Sequence, residues 1–284
     1  PQKTMKEFLK IPLFSIVCFF LTNNTLLQAQ VCNIGAQNIV LDNQLDITNF
    51  QFFLQASFGT TGTCTELVFD AGYGILIEDA GNFGLEITDL SGMSDLTSIT
   101  GFLDLSSNYD LFDLTGLENL SSVSEEFVLY DNDALTDISA LANLTSVGSL
   151  ILDLNTDLTN LDGLEGLLTI PEDLIIWENT SLLNLDGLAN IASIGGDFWL
   201  YENDDLTDLT GLSSLLTIGG ALDVYFNFSL VTMTGLENLS SAGSVFVEFN
   251  PLLTDLALTG LTSITEDLHL IGNDGLVDTD GLSM

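Results

Sequence analysis

The sequence predicts an all-β solenoid, and three observations carry that prediction. A Gly-Leu pair or its equivalent recurs at Gly92-Met93, Gly116-Leu117, Ala140-Leu141, Gly163-Leu164, Gly187-Leu188, Gly211-Leu212, Gly235-Leu236, Ala257-Leu258 and Gly281-Leu282. The intervals are 24, 24, 23, 24, 24, 24, 22 and 24 residues, a regularity expected of units that bury their apolar faces only by stacking on neighbours. Each unit also holds one short run of alternating apolar residues, as a strand with one inward face requires. Finally, one position is always Asn: Asn108, Asn132, Asn155, Asn179, Asn203, Asn227, Asn250 and Asn273.

Residues 1–30 read as an export signal with a few residues upstream of Met5. Lys6 and Lys10 form its positive start, Ile11 to Leu21 its apolar centre, and Ala29 or Gln30 its cleavage site. The apolar centre is too short to cross a bilayer as a helix. Removing it takes Cys18 with it and leaves Cys32 and Cys64. In an exported chain two cysteines predict one disulfide, with two free thiols as the alternative. The bridge would close a loop of about 32 residues, worth roughly 3–4 kcal/mol. Two Cys and a distant His are too few ligands for zinc.

Residues 31–90 lack the repeat and are expected to form a disulfide-pinned cap over the first coil. Leu45, Ile47, Phe50 and Phe53 suggest a short helix within Asp42 to Phe53, capped by Asp42 or Asn43. Leu67 to Phe69 and Ile75 to Ile77 read as the first strands.

Residues 91–284 are the solenoid proper. In the coil that starts at Gly187, Leu188, Ile191 and Ile194 point inward and Gly195-Gly196 turns the chain. Phe198 and Leu200 then face the core, and Leu206 and Leu209 close the coil. The same plan gives inward pairs Leu103/Leu105, Phe127/Leu129, Leu150/Leu152, Leu174/Ile176, Leu222/Val224, Val245/Val247 and Leu268/Leu270. The strands should stack as a parallel sheet about 4.8 Å apart. The Asn column is expected to bond the backbone of its own turn and of the next coil. A hydroxyl column, Ser98, Ser122, Ser146, Thr169, Ser193, Thr217, Ser241 and Ser263, reads as a second corner device.

The run Leu-x-Leu-x-x-Asn resembles leucine-rich repeats. The whole unit, as in Gly187 to Asn203, resembles the receptor L domain repeat of exported proteins from Bacteroidetes, and Cys64-Thr65-Glu66 after an early Cys resembles their cap. The resemblance covers about residues 31–284. It implies a right-handed solenoid of short strands, secretion or display on the outer cell surface, and no catalytic residues. Such relatives often carry a C-terminal sorting domain, so with Gly281-Leu282 opening a new coil a longer chain is expected.

The chain has 3 basic and 41 acidic residues, and its basic residues are Lys3, Lys6 and Lys10. Nucleic acid and anionic membrane surfaces are excluded as partners, because nothing would neutralise their phosphates. An acidic column, Asp113, Asp137, Asp208, Asp255 and Asp278 with Asn160 and Asn184, invites at most loose Ca2+ binding between coils. It lacks the Gly and closing Glu of an EF-hand, and no other cofactor is expected. A polysaccharide lyase would need a basic residue. His269 has no singular Ser or Cys nucleophile beside it. A two-carboxylate glycosidase is the one enzyme class that composition allows. An ice-binding Thr array is interrupted by Phe112, Leu183, Val231 and Val277.

Two outward columns carry what remains. One runs Asp104, Val128, Ile151, Ile175, Trp199, Asp223, Phe246, His269, and the other Ser106, Tyr130, Asp153, Trp177, Tyr201, Tyr225, Glu248, Ile271. Both Trp residues of the chain fall here. Aromatic rings on a flat sheet can stack on sugar faces or fill a partner's pockets, although strand propensity alone also places aromatics there. The expected function is a secreted or surface binding or adhesion module without catalysis. It would contact a glycan or protein through Tyr130, Trp177, Trp199, Tyr201, Tyr225 and Phe246. The alternative is a structural stalk.

Overall fold

The computed structural model describes residues 29–42, 44–51, 54, 63–78, 86–279 and 281–282. The export-signal reading, with Lys3, Lys6, Lys10 and Cys18, lies outside the described residues, as do Asn43 and Phe53.

Two parallel sheets wind around one core. In the larger, strands Phe102–Ser106, 126–130, 149–153, Leu174–Trp177, Phe198–Tyr201, Ala221–Tyr225, Ser244–Glu248 and Leu268–Ile271 follow one another in register. The smaller sheet stacks the two-residue strands Thr169–Ile170, Ser193–Ile194, Thr217–Ile218, Ser241–Ala242 and Ser263–Ile264. Strands Ser122–Tyr130 and Ser146–Asp153 run through the corner. There Ser124-Glu125 stands where a later coil has Gly195-Gly196, and the coil after it, one residue shorter, has Gly148 alone. All six inward pairs from Leu103/Leu105 to Val245/Val247, together with Phe198/Leu200, are fully buried. Leu268 and Leu270 are half-buried, with one neighbouring strand, Ser244–Glu248, among the described residues.

The segment read as non-repeating already follows the coil plan. Strand Ala29–Gly35 pairs in parallel with Thr63–Phe69, and Ile39–Leu41 with Gly74–Glu78, which pairs onward with Phe102–Ser106. The expected strands at Leu67 and Ile75 are therefore the second pair. Their register is irregular at Gln30/Val31 and Asn33/Gly35, and the spacing varies, so no period shows there. Helix Gln44–Thr48 falls in the expected segment, Phe50, Gln51 and Leu54 are helical as well, and Ile47, Phe50 and Leu54 are fully buried. Its Gln44 clamps the next turn: Oε1 accepts from the Thr88 and Asp89 amides at 2.7 and 3.0 Å, and Nε2 donates to Asp89 O. Cys32 and Cys64 form the disulfide, with Cα atoms 5.7 Å apart and both residues buried, tying the first two coils together. A closed bridge of this kind marks an oxidising, extracellular type of environment.

Between coils, the Asn column does most of the hydrogen bonding. Asn203 donates from Nδ2 to Ile176 O in the preceding coil and to Tyr201 O in its own, both at 2.9 Å, while its Oδ1 accepts the Asn179 amide at 3.3 Å. Asn155, Asn179, Asn227 and Asn250 repeat this arrangement, and every Asn of the column from Asn108 to Asn250 is fully buried. The backbone partners beyond the turn thus lie in the preceding coil, not the next. The next coil is reached side chain to side chain, as Asn203 Nδ2 to Asn227 Oδ1 at 3.4 Å. The hydroxyl device is displaced by one residue from the expected column. Ser121, Thr145, Ser240 and Thr262 donate to the carbonyls of Thr97, Ser121, Leu216 and Ser240, and the expected column begins the short strands.

The residue before each Asn has a left-handed backbone: Ser107, Asp131, Leu154, Glu178, Glu202, Phe226 and Phe249 have φ between 51 and 58°, and Gly272 has 67°. A non-glycine residue there costs about 1–2 kcal/mol. The turn keeps the ladder continuous, with each amide donating to the next coil, as Leu154 to Trp177 O at 3.0 Å and Phe226 to Glu248 O at 3.2 Å. At the Gly-Leu position the coils approach so closely that a Cβ on Gly187 would lie 1.8 Å from Leu161 O. Side chains are excluded there by contact.

Two stability tests follow from these contacts. Asn203→Ala strips partners from buried amide and carbonyl groups and should cost about 2–4 kcal/mol in urea unfolding, at 1–3 kcal/mol per orphaned group. Exposed Asn190, which donates only to Glu165 O, should cost less than about 1 kcal/mol. Glu202→Gly should be neutral or stabilise by up to about 1 kcal/mol, and Glu202→Val should destabilise by about as much or more. Thermal unfolding of the two variants side by side checks that ordering.

Candidate functional site

The two outward columns lie side by side on the larger sheet, because alternate residues of a strand face the same side. Register sets Ile175, Trp199, Asp223, Phe246 and His269 in one row across the strands, and Asp153, Trp177, Tyr201, Tyr225, Glu248 and Ile271 in the next. Within this field Trp177, Trp199, Tyr201 and Tyr225 form one run of rings. Tyr201 meets Trp177 edge-on at 5.5 Å, stacks on Trp199 at 5.9 Å and 9°, and touches Tyr225 at 4.9 Å. These rings are part-buried against one another.

Phe246 and Tyr130 stand apart from that run. Phe246 is separated from the Trp199 side by Asp223 and meets the His269 ring edge-on at 4.9 Å. Tyr130, 38% exposed, is cut off from Trp177 by Asp153 in its row. The run instead continues through residues that alternation did not point to. Tyr225 touches Phe226 at 6.1 Å, and Phe226 stacks on Phe249 at 5.0 Å and 6°. Both are left-handed corner residues, whose side chains leave the strand's alternation. Aromatics in successive units at the position before Asn were the available signal.

Carboxylates sit among the rings. Asp223 and Glu248 are each 9% exposed, with the Tyr201 hydroxyl facing Asp223 and the Tyr225 hydroxyl facing Glu248. His269 Nδ1 lies 3.6 Å from Glu248 Oε1 and pairs with it when protonated. Burial, then the charges of Asp197 and Glu248, push the Asp223 carboxyl up to about 6. Burial with Glu178 and Asp131 nearby does the same to Asp153, also to about 6. Burial and the Glu248 carboxylate push the Tyr225 phenol up to about 12, and burial raises Tyr201 as well. Asp223 Oδ1 and the indole nitrogens of Trp177 and Trp199 are buried with no hydrogen-bond partner among the described residues.

The acidic column lies on another face and has a local task. Oδ1 of Asp113, Asp137, Asn160, Asn184, Asp208 and Asp255 each accepts the amide two residues on, at 2.8–3.1 Å. This is an Asx turn, and hydrogen bonds from the residues two positions on hold Asp137 and Asp208 below the ordinary carboxylate value. Among the described residues no three His, Cys, Asp or Glu side chains converge as metal ligands. A cleft of about 420 Å³ beside the last coil is lined by Thr254, Asp255, Leu276 and Asp278, residues of the acidic-column turns and not of the ring-bearing strands.

No protein-family model matches the chain, and comparison with curated proteins returns no match.

Asp153 and Asp223 hold their protons to about pH 6, whereas an unfolded Asp releases its proton near pH 3.9. Between those values the folded chain binds more protons, so its stability falls as pH rises from about 4 through 6. Thermal unfolding followed at pH 4 to 7 should show that decline. The Asp153→Asn, Asp223→Asn double variant should show a shallower one and melt higher than the parent at pH 7. Equal slopes in the two proteins would contradict the assignment.

Proposed function

We propose that the chain is a non-catalytic binding or adhesion module, secreted or held at the outer cell surface, that meets its ligand through the aromatic run on the larger sheet. The observation that carries the reading is the continuity of the rings. Trp177, Trp199, Tyr201 and Tyr225 make one contiguous patch, and Phe226 and Phe249 prolong it. Large amphipathic rings gathered on an otherwise acidic surface supply contact area at little entropic cost. The disulfide and the resemblance to receptor L domain solenoids support an exported location, and that resemblance also favours recognition over catalysis. The rigid stack beneath holds the rings at fixed spacing, as a preorganised contact surface requires.

A structural stalk is the second reading. It is favoured by the way the rings pack on each other, since cross-strand aromatic pairs stabilise a sheet by about 0.2–1 kcal/mol each. The two readings separate on one variant. Trp177→Ala combined with Trp199→Ala should abolish binding to a glycan array or to a panel of surface proteins, measured with and without Ca2+, while circular dichroism shows the solenoid intact. Binding that survives in the folded double variant would sink the module reading.

A further inference from the structure

Trp199 and Asp223 are direct register partners on adjoining strands. The Trp199 indole nitrogen is a donor without an acceptor, and Asp223 Oδ1 is an acceptor without a donor. The stacked Tyr201 ring offers the indole no remedy, because in a parallel stack the N–H lies in the ring plane and does not point at the neighbouring face. Leaving both groups unpaired costs about 1–3 kcal/mol each. A hydroxyl group accepts and donates at once, so a single hydroxyl can satisfy both. A purely cationic ligand donates only and would leave the indole unpaired. An anionic ligand would find no counter-charge, since the sequence holds no Lys or Arg after Lys10.

Resting on the binding-module reading, we propose that this face is a subsite for an uncharged oligosaccharide that lies along the solenoid axis. Its rings stack across Trp177, Tyr201 and Tyr225, and one of its hydroxyls bridges Trp199 Nε1 and Asp223 Oδ1. Successive strands about 4.8 Å apart repeat the aromatic platform in that direction. Because both bridged atoms are buried, ligand entry requires Trp199 or Tyr201, each part-exposed, to turn aside.

The chain's two tryptophans are both in the subsite, so intrinsic fluorescence reports it directly. The full chain is titrated with a panel of neutral oligosaccharides, with uronate-bearing counterparts and with a short Arg-rich peptide. A saturable emission change with at least one neutral oligosaccharide, and none with the uronates, is the expected result. Trp199→Phe, which keeps a ring and loses the N–H, and Asp223→Ala should each weaken that binding about tenfold or more, as loss of a hydrogen bond to a charged or buried group implies. Both variants are checked for unchanged circular dichroism. Asp223→Asn, which keeps an acceptor oxygen, should weaken it less. Binding of the Arg-rich peptide without any neutral sugar would overturn the ligand class and leave the binding-module reading standing. Sugar binding indifferent to both Trp199→Phe and Asp223→Ala would overturn the hydroxyl bridge. No response to any probe would overturn the subsite and leave an ordinary water as the bridge, with the double-Ala variant still judging the broader reading.

Discussion

Each coil of this protein satisfies its buried turn only through its neighbour, and the rest of the structure follows from that dependence. The chain reverses at the end of every outward strand and would leave carbonyls and an amide without partners in the core. Asn fills the position because its side chain donates twice and accepts at once. Asn203 holds Ile176 O, Tyr201 O and the Asn179 amide together, so the turn and the stacking become one interaction. Neighbouring Asn side chains also bond each other, which polarises the column along its length.

That dependence tolerates strain and demands close contact. The left-handed residue before each Asn is costly for Ser, Glu or Phe, yet it lets the amide continue the ladder to the next coil. Glycine at the Gly-Leu position removes a side chain where Leu161 O comes too near for one. The corner comes in two forms, and both keep Leu in the core. Where Glu follows Gly-Leu, as at Gly116, Gly163 and Gly235, the glycine takes φ near 114° and its amide donates to Glu118, Glu165 or Glu237. Where Ala or Ser follows, as at Gly187 and Gly211, the pair sits in a 3-10 turn.

With the interior so constrained, the outward face of the larger sheet is where residues can vary without unmaking the stack. Ile, Trp, Asp, Phe and His follow one another in a single row there. Their environments are set by their neighbours across the strands more than by the fold. Rings on both sides of Asp223 exclude water, which raises its carboxyl and leaves one oxygen unpaired. A carboxyl kept dry among aromatics on a surface, with the Tyr201 hydroxyl on it and Oδ1 unpaired among the described residues, gives this face a chemistry that the exposed Asx turns elsewhere lack.

The sequence by itself determined the coil, its core and the direction of its strands. Period-2 and 24-residue patterns are written in side-chain type, and burial selects side-chain type directly, so Phe198, Leu200 and the Asn column were legible. The pairing of Cys32 with Cys64 was legible once Cys18 was assigned to an export signal, though free thiols stayed open until the bridge was seen. The first two coils were not, because irregular register at Ala29–Gly35 hides their period. The acidic column read only as loose cation ligands, and its Asx turns became visible with the amide bonds two residues on. Only the tertiary structure decided which outward residues meet: it joined Trp177, Trp199, Tyr201 and Tyr225, set Tyr130 and Phe246 apart, and brought in Phe226 and Phe249 from left-handed corners. Ring contacts and the drying of Asp223 depend on register between coils about 24 residues apart, and no local pattern records what a neighbouring strand places alongside.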